Sequence, residues 1–428
     1  MSAVVPETLR PPPDWPRTEA EILDEIPSES LAVELWLCVR RVRLWIETEA
    51  AARSRLFRRN PGEDGRQRRR AAFIDAPELY KAFQVFGVLA AQPGKGEAAA
   101  LCHACMQVAD WAAEHSYDSV AVHYATAATA VLPDSPEAAN LAGLMYRRVG
   151  DWQRAELFYP RAIALSRRQR NATEYVCGHI GYAALLYSRG TQLDKAVRHL
   201  KTAARVAANN GSFWLAGHAL HDAMLLMVAR NDYGGAEAEA RRAAELYPLH
   251  DRRFPYFVAD FAFVQLEQHR FVEALPLLEL CLSVLQQPAV TALINAMLAR
   301  SHAGAGQTGE FKRFRREAVQ TTTRYPEHAA VVHYHLSGAA RACRSWIEAE
   351  RHARKSRELA IQRGDHEMVR LAERTMRLIT AKAVSAAPGP TPVAAEKLVR
   401  ELVARLARWN PQGYPVTRRR TFRNQWVA

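Results

Sequence analysis

The stretch LAGLMYRRVGDWQRAELFYPRAIAL, residues 141–165, decides the fold, because small and large residues alternate along it at helical intervals. Ala155 and Ala162 are seven residues apart, or two turns of an α-helix, so they share one helix face. Two alanines on one face let a neighbouring helix approach closely, and rings such as Tyr159 then fill the space between helices. Gly150 interrupts the period. The stretch therefore predicts two helices joined by a short turn.

The same seven-residue spacing of small residues recurs along the chain. First members of the pairs follow each other at steps of 34, 41, 40, 38, 37 and 38 residues. The pairs are Ala121 and Ala128, Ala155 and Ala162, Ala196 and Ala203, Ala236 and Ala243, Ala274 and Cys281, Ala349 and Ser356, and, as a weaker match with one large residue, Phe311 and Ala318. Self-similarity at such a period is typical of stacked helical hairpins. The sequence therefore predicts an all-α fold, an α-solenoid of antiparallel helical hairpins.

The second of these units resembles a known repeat. Gly143 and Tyr146 precede the turn, and Ala155, Tyr159 and Ala162 follow it. A small residue and an aromatic in a first helix, followed by Ala, aromatic and Ala in a second, resemble the tetratricopeptide repeat (TPR). The resemblance extends over about seven units, most of them degenerate, and only the first step has the family's usual length. It implies a right-handed α-solenoid whose first helices line a concave face that binds a peptide or a partner helix.

The segments outside the repeats differ from them in composition. Residues 1–30 are acidic and rich in proline, which predicts an irregular lead-in. Capping helices are predicted within residues 31–98, one over 31–57 and one over 77–92, separated by a basic loop. The remaining boundaries place the solenoid at 99–380, an Ala/Pro linker at 381–393, and a short helix with a basic tail at 394–428.

Positive charge is concentrated in two segments. The chain carries a formal charge of +13; residues 53–70 hold eight arginines against two acids, and residues 400–428 hold seven against one. Because arginine contacts phosphates and aromatic rings stack on bases, both segments are candidate nucleic-acid contacts. The candidate residues are Arg66, Arg68, Arg69, Arg70, Arg418, Arg419, Arg420, Arg423 and Trp426. The alternative is solvated segments, or pairing with the acidic residues 1–30, since no nucleic-acid-binding motif accompanies the arginines.

Cysteine usage and hydropathy indicate an ordinary intracellular chain. Cys102 and Cys105 have the C-x2-C spacing of a zinc site, but zinc needs four ligands and no second pair follows. We therefore predict a buried structural pair, no metal and no cofactor. The chain begins without a cationic segment followed by an apolar run, and no stretch approaches the ~20 apolar residues of a membrane helix. These features predict a cytoplasmic protein without membrane insertion.

A partner-binding groove is predicted from first-helix side chains, because aromatic residues mixed with a few polar donors suit partner binding. The candidates are Asn140, Leu144, Arg147, His218, His221, Leu225, Tyr256, Asp260, Phe263, Arg300 and Tyr334. The alternative for several of them is packing between repeats. The histidines lie near carboxylates, but no nucleophile elbow or HExxH motif is present, so we expect no enzymatic activity.

The sequence thus predicts a non-enzymatic TPR scaffold or adaptor that binds a peptide or partner protein on its concave face. Two alternatives stay open, as does the oligomeric state. One is a peptide-sensing regulator like the bacterial TPR regulators, which usually carry a helix-turn-helix that residues 1–90 do not convincingly provide. The other is a nucleic-acid-associated adaptor that uses the arginine-rich segments, for which steep salt dependence of binding is the expected sign.

Overall fold

The computed structural model describes residues 21–57, 63–383 and 392–410, and within these ranges every regular element is a helix. The chain divides into two compact units, Met1–Leu185 and Leu186–Ala428. None of the helices in the described part is long and apolar enough to cross a bilayer.

Fourteen helices follow each other as seven pairs, which we number as hairpins 1 to 7, with a first helix and a second helix in each. In chain order the pairs are α5 (Ala98–Glu114) with α6 (Asp118–Val131), α7 (Pro136–Arg148) with α8 (Trp152–Arg168), α9 (Ala172–Ser188) with α10 (Leu193–Asn209), α11 (Phe213–Ala229) with α12 (Tyr233–Leu246), α13 (Phe254–Glu267) with α14 (Phe271–Val284), α15 (Pro288–Gly304) with α16 (Thr308–Arg324), and α17 (Ala329–Ala342) with α18 (Trp346–Gln362). The boundary between the units falls inside α9. Hairpins 1 and 2 lie in the first unit and hairpins 4 to 7 in the second, and in each the two helices pack on each other.

The pairs of small residues that the sequence singled out all lie on second helices, one pair in each of the seven. All fourteen residues are buried, thirteen of them at no more than 1% exposure and Phe311 at 6%. The fold is therefore the predicted all-α solenoid of TPR-like hairpins, and the small residues mark its close helix contacts.

Tyr159 shows how tight these contacts are in the first unit. Its ring is fully buried between two glycines of neighbouring first helices. A Cβ atom on Gly143 of α7 would lie 3.0 Å from Cε1 of the ring, and one on Gly181 of α9 only 2.2 Å away. The prediction that Gly143 permits a close approach is confirmed. Gly181, on the next first helix, leaves room for the Tyr159 ring in the same way.

The turn inside each hairpin contains a residue with positive φ. These residues are Ser116, Gly150, Gln192, Asn231, His269, Gly306 and Arg344, and Gly190 precedes Gln192. A left-handed residue after a helix lets its last carbonyls find hydrogen-bond partners and reverses the chain. Five of the seven are not glycine, so the turns could not be recognised from glycine alone.

The first unit begins with helices that pack on hairpin 1. They are α1 (Glu21–Glu25), α2 (Glu29–Glu47), α3 (Glu63–Asp75) and α4 (Tyr80–Ala91), with short 3-10 turns at Ala50–Arg55, Pro77–Leu79 and Pro93–Lys95. Helices α2 and α4 contact α6 and α5, and Tyr124 donates a hydrogen bond to the carbonyl of Leu35 at 2.7 Å.

The sequence boundaries in this region need three corrections. Residues 21–25, expected within an irregular lead-in, are helical. The helix expected over 31–57 ends at Glu47, because the backbone of Thr48 is extended. Part of the expected basic loop is α3, which has no apolar period that sequence reading could detect.

The second unit ends with two helices outside the hairpins. Helix α19 (His366–Thr380) packs on α18 and α17. Helix α20 (Val393–Leu406) packs on α12, α13 and α14, in agreement with the short helix predicted within 394–428. Arg405 of α20 donates to the carbonyls of Ala244 and Tyr247, the latter at 2.7 Å, and so supplies partners for the last carbonyls of α12.

Candidate functional site

The eleven predicted groove residues all lie on first helices. They occupy α7 (Asn140, Leu144, Arg147), α11 (His218, His221, Leu225), α13 (Tyr256, Asp260, Phe263), α15 (Arg300) and α17 (Tyr334). Asn140, Leu144 and Tyr256 are half-buried, and the other eight are buried. Burial separates the set into residues that hold first helices together and residues that border open space.

The first-unit residues include a link between neighbouring first helices. The Asn140 amide donates to the backbone carbonyl and the carboxylate of Glu174 on α9, both at 2.9 Å. Glu174 is itself buried. Asn140 thus joins α7 to α9, the packing alternative that the sequence left open.

His218 and His221 belong to a buried polar network between α11 and α13. His221 Nε2 lies 2.8 Å from a carboxylate oxygen of Asp260, and its Nδ1 lies 3.1 Å from the Tyr247 hydroxyl. His218 Nε2 lies 3.5 Å from a carboxylate oxygen of Asp251. Both histidines and both carboxylates are at most 5% exposed. This network fixes the spacing of two first helices and offers no open surface.

Burial also determines the charge state of this network. Burial, followed by the nearby Arg253 charge, lowers the pKa of His218 to about 4, although Asp251 opposes the change. Burial likewise raises the pKa of Asp260, against the hydrogen bond and charge of His221. His218 is therefore neutral at neutral pH.

A second polar network joins three first helices. Arg300 of α15 donates to a carboxylate oxygen of Glu267, at the end of α13, at 2.8 Å, and to the backbone carbonyl of Leu266 at 3.2 Å. The Tyr334 hydroxyl of α17 donates to the same Glu267 oxygen at 2.7 Å. Burial alone would raise the pKa of Glu267, but the Arg300 charge and the two hydrogen bonds outweigh it and lower the pKa overall.

This second network borders a cavity of about 250 Å³ within the second unit. Three successive first helices (α13, α15 and α17) and α19 contribute to its wall, mostly through polar side chains. The lining residues are Glu267, His269, Arg300, Tyr334, Gly338, Arg341, Arg374, Thr375, Leu378 and Ala383. We call this space the arginine cavity. Arg300 and Tyr334 are the predicted groove residues that the structure brings together around it.

Leu225, Phe263 and Tyr256 have separate positions. Leu225 is 2% exposed, and the Phe263 ring packs edge-on against Tyr334 with their centroids 6.5 Å apart. The Tyr256 hydroxyl donates to Gln287 at 2.8 Å, and the side chain is only half-buried. Among the predicted residues of α13, Tyr256 is therefore the one with surface available to a partner.

The cysteine pair and the arginine-rich segments lie apart from the arginine cavity or outside the described residues. Cys102 and Cys105 are free and buried, and burial raises the pKa of Cys102 to about 11. Within the described ranges no cluster of three His, Cys, Asp or Glu side chains is arranged to hold a metal ion. Arg70 is exposed on α3, where Arg66, Arg68 and Arg69 also lie, whereas Arg418, Arg419, Arg420, Arg423 and Trp426 fall outside the described residues.

Sequence reading missed four titratable residues of the arginine cavity, namely Glu267, His269, Arg341 and Arg374. Helical spacing offered a signal for two of them. Glu267 follows Asp260 by seven residues, and Arg341 follows Tyr334 by seven, so each shares a helix face with a predicted residue. Arg374 had no such signal, because α19 lies beyond the last hairpin.

Comparison with known proteins finds similarity of structure only. No protein-family model matches the chain, and no curated protein does. Similar solved structures include BtubC (BKLC) from P. vanneervenii, at 16% identity and a TM-score of 0.41, covering 53% of this chain and 91% of that one. A Rap protein complexed with competence and sporulation factor is 13% identical (TM-score 0.36; 83% and 99% covered), and the P58(IPK) TPR domain is 14% identical (0.21; 73% and 97%). Such similarities concern the arrangement of helices and say nothing about what this chain binds.

Proposed function

We propose that the protein is a non-enzymatic scaffold that binds a peptide or a segment of a partner protein on the first-helix face of its second unit. The observation that carries the proposal is the convergence of side chains from α13, α15, α17 and α19 on the arginine cavity. Second helices carry the pairs of buried, mostly small residues, whereas α13, α15 and α17 bring polar and aromatic side chains to the cavity. A concave site with a few convergent polar groups is the usual form of a binding site.

The half-buried Tyr256 supports the proposal from a neighbouring position. Tyrosine is enriched at binding hot spots because it combines a large apolar ring with a hydrogen-bonding hydroxyl. Tyr256 stands at the start of α13, whose last residue, Glu267, lines the arginine cavity. An extended peptide of about five residues spans the roughly 16 Å between these positions of one helix.

The test is selection of displayed random peptides on the full chain, followed by affinity measurement by fluorescence anisotropy. Tyr256→Ala should weaken the selected peptides at least tenfold, as expected for a hot-spot tyrosine. Ile347→Ala is the matched control, because Ile347 lies on second helix α18 of the same unit and is 88% exposed. The control should bind within twofold of the wild type. Equal loss in both variants, or no selected peptide, would refute the proposal.

A further inference from the structure

The arginine cavity carries an excess of positive charge. Three guanidinium groups line it, from Arg300, Arg341 and Arg374, against the single carboxylate of Glu267. His269, the remaining titratable base in its wall, has its pKa lowered to about 4 by burial and then by the charges of Arg300 and Arg341, so it adds no charge at neutral pH. The side chains lining the cavity thus sum to +2.

The carboxylate of Glu267 already forms an ion pair with one of the three arginines. Arg300 and Glu267 form an ion pair with side chains 5% and 7% exposed. In the described part of the chain, neither Arg341 nor Arg374 has a carboxylate within ion-pairing distance. Arg341 donates from Nη1 to the carbonyl of Ala383 at 3.1 Å, and Arg374 donates to the side-chain oxygen of Asn231 at 2.5 Å. Two guanidinium groups are therefore held by neutral acceptors only.

Arg341 is the least compensated of the three. The residue is 7% exposed, and its Nε is buried without a hydrogen-bond partner. Buried cations are normally paired, because removing a charge from water costs several kcal/mol unless an opposite charge or hydrogen bonds replace the solvent. The pKa of Arg341 is lowered by burial and next by the Arg300 charge, as expected where like charges crowd a site.

The backbone makes room for this cluster. A Cβ atom on Gly338 of α17 would lie 2.9 Å from Nε of Arg300. Glycine at this position lets the Arg300 guanidinium lie against the helix and remain in reach of Glu267. A glycine inside a helix costs about 1 kcal/mol relative to alanine, so the arrangement of Arg300 is kept at the expense of helix stability.

We propose that the arginine cavity binds an oxyanion, a carboxylate or phosphate group that pairs with Arg341 and Arg374. Guanidinium groups present parallel N–H donors that match both kinds of oxyanion, and such charge-assisted hydrogen bonds are the strong ones in proteins. A dianion balances the charge of the lining side chains. The site goes beyond the proposed peptide binding, since a free anion is sufficient to occupy it.

The test is thermal unfolding of the full chain against rising concentrations of inorganic phosphate and of succinate, with sodium chloride at matched ionic strength. We expect phosphate or succinate to raise the Tm in a saturable way that chloride does not reproduce. Arg374→Gln removes one charge but keeps amide donors near Asn231, and it should weaken the response at least tenfold. Arg377→Gln, an exposed position one turn further along α19, is the matched control and should respond as the wild type does.

The difference in Tm between Arg374→Gln and the wild type should change sign with the anion, which simple damage to folding would not produce. In chloride alone, Arg374→Gln should be at least as stable as the wild type, because it relieves repulsion among the three guanidinium groups. In saturating phosphate or succinate it should be less stable. Identical Tm values for the wild type in all three salts, or an equal anion response in Arg374→Gln, would overturn the proposal.

The source of the oxyanion is decided by a further comparison. N-acetyl-phosphoserine amide binding more tightly than inorganic phosphate would point to a group carried by a peptide. The reverse order would point to a free anion. Both orders support the oxyanion site. The peptide proposal is tested with selected peptides and Tyr256→Ala, and a negative result there does not change the anion response of the wild type. The two proposals can therefore fail separately.

Discussion

Gly181→Ala should destabilise the first unit, because it places a methyl group where the Tyr159 ring already lies. The built Cβ is 2.2 Å, 2.8 Å and 2.9 Å from three ring atoms, against an ordinary contact distance of 3.4 Å or more. The ring would have to retreat by roughly 1 Å, and Gly143 closes the opposite side, where even a Cβ would be only 3.0 Å away. The fully buried side chain has no other space to enter.

The expected magnitude follows from two opposing terms. Overpacking a well-filled core typically costs about 1–3 kcal/mol of unfolding free energy. A contact as short as this one should cost about 3 kcal/mol. Replacing glycine by alanine inside a helix returns about 1 kcal/mol through helix propensity. The net loss is therefore about 2 kcal/mol, or roughly 4–8 °C in the Tm of a unit of this size.

The assay is chemical and thermal unfolding of a graded series of single variants. Gly143→Ala should cost less than Gly181→Ala, because its contacts begin at 3.0 Å. Gly234→Ala, near the start of α12, is the control, since nothing lies within 4 Å of its built Cβ, and it should be neutral or slightly stabilising. In a Tyr159→Leu background the cost of Gly181→Ala should vanish. Equal stability of Gly181→Ala and Gly234→Ala would refute the assignment of Tyr159 as a wedge between first helices.

Two further outcomes follow from the second unit. Because the pKa of His218 is about 4 in the fold and ~6.5 unfolded, its stabilising contribution is complete above about pH 6.5 and is lost as the pH falls towards 4, by up to about 3 kcal/mol. His218→Gln should flatten this part of the pH profile of unfolding, and a profile unchanged from that of the exposed control His103→Gln would contradict the assignment. Arg405→Ala should cost about 2 kcal/mol of local stability and speed hydrogen exchange over Val393–Leu406 about 30-fold, since α20 loses two charge-assisted hydrogen bonds to α12. Arg408→Ala, which removes a hydrogen bond from Nε to the carbonyl of Ala404 within α20 and none to α12, should leave that exchange rate unchanged.

The helical pairs could be predicted from sequence because their signal is local and repeated. Every second helix needs small residues two turns apart, so seven copies of the pattern reinforce one another even where single copies are degenerate. The turns gave a weaker signal, since positions such as His269 and Arg344 adopt positive φ without being glycine. Helix α3 gave none, because seven of its thirteen residues are charged and no apolar face marks it.

The candidate site was less predictable, because a residue's role depends on what faces it across two helices. His221 and Arg300 had equal standing as groove residues in the sequence, and both are first-helix residues at most 4% exposed. His221 contacts Asp260 and Tyr247 in a closed network that sets the spacing of two helices. Arg300 instead pairs with Glu267 at the edge of a cavity. Helical period places both on first helices but does not give the partner across the interface.

The two polar networks of the second unit have different physical consequences. A buried network in which partners are matched holds helices at a fixed distance, as the His221 network does between α11 and α13. The arginine cavity is unmatched, because two guanidinium groups have neutral acceptors only, and apolar residues of similar volume would usually be at least as stable there. Stability therefore does not account for three arginines around one cavity. An anionic ligand does account for them, since it supplies the negative charge that Arg341 and Arg374 lack, and the effect of Arg374→Gln with and without phosphate tests that explanation directly.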